Sequence, residues 1–195
     1  MNFTTEKSFI LASASPRRKE LFKRLNVPFK ILVATVEETS IKDDNPAQYV
    51  KKVALLKATD VAKRNPGHVV IGADTIVVKG QELLHKPKDA NEAIKHLKQL
   101  RGNVHEVMTA VAIIDDVGNK LAFVEKTEVY FKQVPDTLIE AYVATGDCYD
   151  KAGGYGIQTD GVFLVEGIKG DYLNVVGLPL ARLTELLVET KLISI

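Results

Sequence analysis

The stretch "HVVIGADTIVV", residues 68–78, decides the fold. It is rich in β-branched residues and apolar on both faces, a pattern typical of a central strand covered on both sides. In an extended chain Asp74 shares a face with Gly72 and Ile76. An ionised carboxylate there is costly unless it is paired, hydrogen-bonded or bound to a metal. Asp74 is therefore either half of a buried salt bridge or a metal ligand or general base, and we favour the functional reading.

Strands and helices alternate on either side of this stretch. Such alternation predicts an α/β fold with mixed strand connections, and no composition shift marks a boundary within residues 1–195. We therefore expect a single domain, with strand-like stretches in the glycine-rich segment 153–177. The predicted strands are 8–13, 29–38, 68–78, 106–115 and 120–134, and the predicted helices are 16–25, 46–64, 88–102, 136–146 and 178–190.

Composition excludes several classes of protein. Of the 195 residues 46% are hydrophobic and 26% are charged, and the net charge of +1 argues against broad nucleic-acid binding through a basic surface. No apolar run is long enough for a membrane span, and the N-terminal run is too short for the core of a signal peptide. Cys148 is the single cysteine, which suits a reducing compartment. We expect a cytoplasmic protein with neither a membrane nor a nucleic-acid partner.

The segment "SASPRRKELFKRL", residues 13–25, places two arginines where a helix least favours them. Ser15 followed by proline is a helix start, which puts Arg17 and Arg18 in the first turn. That turn is the positive end of the helix dipole, so cations there are unfavourable by about 0.3–1 kcal/mol each. The placement makes sense if an anion such as phosphate binds there, helped by the Ser13 hydroxyl. The alternative is that both arginines face solvent and are merely tolerated.

Three further charged residues join this set. Lys57 lies in the middle of the apolar stripe of helix 46–64, where it either snorkels to water or points its ammonium into a cleft. Glu38 ends the predicted second strand, and Lys86 precedes a proline just before a helix. Four cations with two carboxylates match the needs of a magnesium-bound polyphosphate. The sequence has neither a G-x-x-x-x-G-K-[ST] phosphate loop nor a G-x-G-x-x-G run.

Six motifs together resemble the Maf family of nucleotide pyrophosphatases. They are "LASASPRRKEL", "VEE", "GADTIVV", "HKPKDANEA", "DKAGGYGIQ" and "VVGLPL", spread in order from residue 11 to residue 180. The resemblance implies hydrolysis of nucleoside triphosphates to the monophosphate and pyrophosphate with a divalent metal, Mg²⁺ or Mn²⁺. It also implies an inosine triphosphatase-like α/β fold, with a long mixed β-sheet, flanking helices and two lobes around a deep cleft. "GADTIV" together with "GYGIQ" resembles the branch that acts on dTTP and UTP, with modified pyrimidine nucleotides as further candidates.

The resemblance also implies residue roles. Asp74 matches the catalytic base or metal-linked acid, and Glu38 joins it as a metal neighbour. The specificity-linked positions fall on Arg17, Thr75 and Gln158. The phosphate-binding positions fall on Ser13, Ser15, Arg18, Lys57 and Lys86.

One mechanism fits both the residues and the resemblance. The phosphates bind at the helix start, Asp74 orients or deprotonates a water that attacks the α-phosphorus, and Gln158 reads a pyrimidine edge. Without the resemblance, the first interpretation of Gln158 is a polar residue that satisfies hydrogen bonds of a glycine-rich loop. Two other functions stay open: a non-hydrolysing nucleotide-binding regulator of cell division, and a nucleic-acid-binding protein that uses the same basic residues. The sequence does not fix the oligomeric state, for which a homodimer is one candidate.

Overall fold

The computed structural model describes residues 3–195. The strands of this part of the chain form one mixed β-sheet. The seven strands of this part of the chain are β1 (Phe9–Ala12), β2 (Phe29–Ile31), β3 (Val69–Lys79), β4 (Glu82–Leu84), β5 (Val104–Ile114), β6 (Lys120–Phe131) and β7 (Val165–Lys169). Their order across the sheet is β2-β1-β3-β5-β6-β7, with β4 paired to β3 off this path. β1 is parallel to β2 and β3, whereas the β3–β4 and β6–β7 pairs are antiparallel.

β3 is the inner strand that the sequence predicts. Val69, Val70 and Ile71 are completely buried, and burial continues almost to the end of the strand. The interruption falls at Asp74 and Thr75, which are half-buried. The strand therefore carries its one carboxylate at the point where its covering layers open.

Helices flank the strands, which confirms the predicted α/β class. A proline in the first turn and a side-chain cap start two of them, as at α2, where Asn45 Oδ1 accepts hydrogen bonds from the backbone N–H groups of Ala47 and Gln48 at 3.0 and 3.2 Å. The described α-helices are α1 (Pro16–Lys23), α2 (Pro46–Arg64), α3 (Ala90–Leu100), α4 (Asp136–Ala144), α5 (Tyr172–Val176) and α6 (Leu180–Glu189).

The predicted second strand is shorter than residues 29–38. Leu32 N–H still donates to Leu11 O at 3.2 Å, but β1 ends one residue later, so the ladder has no partner to continue along. Side chains of α2 bind the backbone beyond that point. Asp60 accepts from the N–H of Thr35 at 3.0 Å, and Arg64 donates to Val33 O at 3.2 Å.

Glu38 consequently does not end a strand, and that prediction is wrong. It opens a short 3₁₀ helix, Glu38–Ser40, on an exposed segment. Glu38 still contributes to the candidate site described below, because side chains of α2 bind the backbone just before it.

The glycine-rich segment 153–177 is only partly strand-like. It contains 3₁₀ turns at Ala152–Gly154 and Asp160–Leu164 as well as β7 and α5. The sequence pattern also missed β4, whose three residues pair with the end of β3. Glycines and short elements weaken periodicity, so both differences fall where local patterns carry least information.

The described chain divides into two compact units. The first contains the residues up to Asp74 with Thr109–Glu125 and Gly177–Ile195, and the second contains Thr75–Met108 and Lys126–Val176. The single domain over residues 1–195 stays a prediction. Within the described residues, each helix is too short or too polar to cross a bilayer.

Candidate active site

An ammonium group and two carboxylates meet in the first unit. Lys57 Nζ lies 2.8 Å from Asp74 Oδ1 and 2.8 Å from Glu38 Oε1. The Lys57 and Asp74 side chains are only 15% and 14% exposed, whereas that of Glu38 is 48% exposed. The three groups therefore form a cluster with one solvent-facing member and a net charge of −1. We call it the Lys57 cluster.

Close packing of α2 on β3 builds this cluster. Gly72 lies two residues before Asp74, and a Cβ placed on it would be 2.7 Å from Ala54 O and 2.8 Å from the Ala58 Cβ. Glycine on the strand and alanines on the helix thus let the two backbones approach. Lys57 sits on the same buried stripe of α2, which carries its ammonium to Asp74, midway along β3.

The start of α1 lies beside the middle of β3. Ala12 is in register with Gly72 in the parallel β1–β3 pair, so Ser13 follows at the edge where Asp74 emerges. Ser15 is the N-cap, as predicted, and its hydroxyl accepts from the N–H of Arg18 at 3.4 Å. Ser13 Oγ in turn accepts from the N–H of Ser15 at 3.2 Å.

Arg18 uses its guanidinium to hold backbone carbonyls. Nε donates to Gly177 O at 2.8 Å, and Nη1 donates to Ala73 O at 2.9 Å and lies 3.4 Å from Ser13 Oγ. Burial lowers the pKa of Arg18, and the negative charge of Asp74 opposes that shift. One of the two arginines at the helix start is thus explained by structural hydrogen bonds. Its predicted contact with phosphate stays a prediction.

The remaining residues predicted for the site divide between the two units. Arg17 is half-buried in the first turn of α1. Thr75 follows Asp74 on β3, and its side chain points to the opposite face of the sheet. Lys86 is exposed in the connection between β4 and α3 and has no ion pair with any described residue.

Gln158 is exposed in the loop after Tyr155 and forms no side-chain hydrogen bond with the described residues. The neighbouring residue satisfies the loop instead. Thr159 Oγ1 lies 2.5 Å from Asp147 Oδ2 and 3.1 Å from Gly156 O. The alternative in which Gln158 serves the glycine-rich loop is therefore not supported, and its amide faces solvent.

The chain matches a known protein family over most of its length. The model of the family described as Maf-like protein matches residues 8–190. The chain belongs to the Maf family.

Curated members of the Maf family agree along almost the whole chain. A dTTP/UTP pyrophosphatase of Bacillus cytotoxicus is 49% identical over 177 residues, which are 91% of this chain and 92% of that protein. A dTTP/UTP pyrophosphatase of Halalkalibacterium halodurans is 48% identical over 90% of this chain and 92% of its own. A solved HAM1 protein of Coxiella burnetii has a TM-score of 0.52 at 16% identity, covering 94% of this chain and 99% of that one, which shows a shared fold.

The donor atoms of this Maf protein fit a hard divalent cation. Mg²⁺ takes one or two protein carboxylates and completes its octahedron with water and phosphate oxygens. Glu38 and Asp74 supply those two carboxylates, held within reach of each other by one ammonium. The described residues contain no group of three or more His, Cys, Asp or Glu side chains that could hold a metal. Any cation here would therefore take its other ligands from substrate and water.

Sequence reasoning missed the long-range contacts of the site. The bond from Arg18 to Gly177 joins residues 159 apart, and no local pattern signals it. It also missed a cluster around Asp147 and Lys151 beside the loop of Gln158. The i, i+4 spacing of an aspartate and a lysine was the available signal for that cluster.

Proposed function

We propose that this Maf protein is a nucleoside triphosphate pyrophosphatase that hydrolyses dTTP and UTP, and modified pyrimidine nucleotides, to the monophosphate and pyrophosphate. Family membership and relatives named dTTP/UTP pyrophosphatase support it. The observation that carries it is the Lys57 cluster midway along β3, next to the end of β1 and beside the start of α1. A helix start that follows the carboxyl end of a parallel strand, as α1 follows β1, is a common site for phosphate binding.

The phosphates would bind at the start of α1. Its backbone N–H groups and positive dipole end favour an anion, and the Ser13 and Ser15 hydroxyls lie there. Arg17 adds a guanidinium suited to paired phosphate oxygens. Lys57 and Arg18 add positive charge from within the first unit, and a phosphate contact of Lys86 stays a prediction.

Asp74 would activate the attacking water. Its carboxylate is held by Lys57, so one oxygen is fixed while the other can accept a proton. The water oxygen forms a bond to the α-phosphorus, the bond from that phosphorus to the bridging oxygen breaks, and pyrophosphate leaves with the electron pair. Basic side chains at the phosphate site stabilise the charge that develops on the leaving group.

We further propose that Glu38 and Asp74 hold Mg²⁺ or Mn²⁺ together with the substrate phosphates. The ion would supply charge neutralisation on the phosphoryl oxygens and assist the leaving pyrophosphate. Lys57 then has a second role, because its ammonium balances the two carboxylates when no cation is bound.

Base selection is assigned to Gln158, with Thr75 in a supporting role. A primary amide donates and accepts, so it matches the edge of thymine or uracil, which carries an N–H between two carbonyls. The Gln158 side chain makes no hydrogen bond with the described residues and is exposed, which leaves both amide functions for a ligand.

We also propose a cytoplasmic location, since the only cysteine, Cys148, is a buried free thiol and suits a reducing compartment. The homodimer stays a prediction, which sedimentation of the purified chain would decide.

A panel of ordinary and modified triphosphates tests the proposed function. Pyrophosphate release is measured with Mg²⁺, with Mn²⁺ and with a chelator, and dTTP and UTP are expected to be the best substrates. Asp74→Asn should abolish release, whereas Asp116→Asn, which removes the same charge from an ion pair with Lys7, should not. Tight dTTP binding without release would favour the non-hydrolysing regulator. Salt-dependent binding of oligonucleotides would favour the nucleic-acid alternative.

A further inference from the structure

A buried lysine in the second unit has every donor occupied. Lys151 Nζ donates to Asp147 O at 2.6 Å, to Asp147 Oδ1 at 2.9 Å and to Asp150 Oδ1 at 2.7 Å. Its side chain is 9% exposed, and a lysine is rarely buried so far unless it is paired. An ammonium has three N–H groups, so this one has none left for a ligand. Lys151 therefore acts on its neighbours and not on a substrate.

Asp147 passes this restraint on through its second oxygen. Oδ2 accepts from the Tyr142 hydroxyl at 2.9 Å and from the Thr159 hydroxyl at 2.5 Å. Burial raises the pKa of Asp147, but hydrogen bonds from Thr159, Lys151 and Tyr142 outweigh it, so the pKa lies below its ordinary value. The carboxylate is thus ionised and fully engaged at neutral pH. We call Tyr142, Asp147, Lys151 and Thr159 the Asp147 network.

The Asp147 network forms hydrogen bonds at both ends of the turn from Gly156 to Thr159. The N–H of Gly156 donates to the Tyr142 oxygen at 3.1 Å, and the N–H of Thr159 donates to Gly156 O at 3.3 Å. The stem of Lys151 also packs on Gly156, where an added Cβ would be 2.5 Å from Lys151 Cε. Gln158 lies between these two fixed points, yet its own side chain touches no member through a hydrogen bond.

We propose that the Asp147 network positions Gln158 for base recognition, with Thr159 as the residue that transmits the restraint. The inference rests on the proposed function, because it assigns Gln158 a nucleotide base to read. A glutamine has three side-chain torsions, so only a fixed backbone lets its amide meet one base edge reproducibly. The network acts through the position of the turn and does not itself touch the base.

Thr159→Val is the sharpest variant, because it removes the hydroxyl while keeping the shape of the side chain. Thr184→Val is the matched control, since it removes a hydroxyl that bonds Leu180 O within α6. The measured quantity is the ratio of dissociation constants for dATP and dTTP analogues with a non-hydrolysable α,β-bridge. Thr159→Val should lower this pyrimidine preference roughly tenfold, as displacement of a positioned group does. Thr184→Val should leave it unchanged.

Gln158→Ala and the double variant complete the experiment. Gln158→Ala should lower the preference at least as much, and Thr159→Val should then add no further loss, because both act through one amide. An unchanged ratio in Thr159→Val, or an additive double variant, overturns the inference. An unchanged ratio in Gln158→Ala also overturns it, since nothing would then need positioning. Lys151→Met should reproduce the loss wherever circular dichroism shows a folded chain.

Hydrolysis by the wild-type protein is scored separately. Absence of pyrophosphate release from every triphosphate would overturn the proposed function, while the binding ratios would still decide the role of the network. Normal release with an unchanged ratio in Thr159→Val would overturn only the network.

Discussion

Lys57 Nζ is equidistant, at 2.8 Å, from Asp74 Oδ1 and Glu38 Oε1, so a single ammonium balances two carboxylates. Removing it leaves two like charges facing each other, one of them 14% exposed. A divalent cation is the natural replacement for that ammonium, because it satisfies both carboxylates at once. With the proposed metal site, the stability of the chain and its affinity for a divalent cation would be linked through Lys57.

Lys57→Met should lower the free energy of unfolding by about 1–3 kcal/mol in the presence of a chelator. Millimolar Mn²⁺ should restore much of that loss, and turnover should fall because positive charge near the phosphates is gone. Thermal unfolding with and without Mn²⁺ measures this. Lys52→Met is the control on the same helix, since Lys52 pairs with Asp43 at the surface. Equal Mn²⁺ shifts in the two variants would contradict the exchange of the Lys57 ammonium for a cation.

Gly72→Ala should destabilise the chain by about 1–3 kcal/mol, as overpacking does. The added Cβ would lie 2.7 Å from a backbone oxygen, Ala54 O, which cannot rotate away. Moving α2 outward would relieve the contact but would also pull Lys57 from Asp74, so activity should fall as well. Gly167→Ala is the matched control, because nothing lies within 4 Å of a Cβ there. Equal unfolding midpoints in urea for the two variants would show that α2 does not depend on Gly72.

The two arginines at the start of α1 should respond differently to substitution. Arg18→Lys should cost about 1–3 kcal/mol of stability, because an ammonium cannot span Gly177 O and Ala73 O as the guanidinium fork does. Arg17→Ala should instead raise KM for dTTP, because it removes a guanidinium suited to phosphate oxygens. Urea unfolding and steady-state kinetics on both variants separate these effects. A stable Arg18→Lys protein with raised KM would instead make Arg18 the phosphate ligand.

Much of this site follows from the sequence because its parts lie on regular elements or at the start of one. A carboxylate that interrupts an apolar strand, at Asp74, and a Ser-Pro helix start, at Ser15, are local signals, and the structure bears out both placements. Lys57 could be placed on the apolar stripe of α2 for the same reason. Its two partners could not, because they depend on how α2 packs over β3.

Contacts between segments that are distant in the sequence could not be predicted from local patterns. Glu38 was expected at the end of a strand, yet the strand stops when β1 runs out of residues to pair with. Thr159 and Asp147 are 12 residues apart and meet only because the glycine-rich loop folds back. Periodicity reports which face of an element is buried, but it does not report which loop closes on which.

His105 makes stability depend on pH through the second unit. Burial, assisted by the positive charge of Lys79, lowers the pKa of His105 to about 3. The ring is 2% exposed, packs edge-on against Phe131 and Tyr155, and shares a 2.7 Å hydrogen bond with the Tyr155 hydroxyl. In the unfolded chain this ring binds a proton below about pH 6.5. In the folded chain it does so only below about pH 3. Stability therefore rises with pH across that window.

His105→Gln should remove this dependence. The wild-type free energy of unfolding should fall by about 2 kcal/mol at this group between pH 8 and pH 5, and the variant should lack that part of the change. His68→Gln, at a half-buried ring that contacts Pro66 O, is the control and should behave as the wild type. Urea unfolding at the two pH values measures the difference. If His105→Gln does not fold, the ring resonances of the wild type decide, because a His105 signal that titrates near pH 6 contradicts a neutral buried ring.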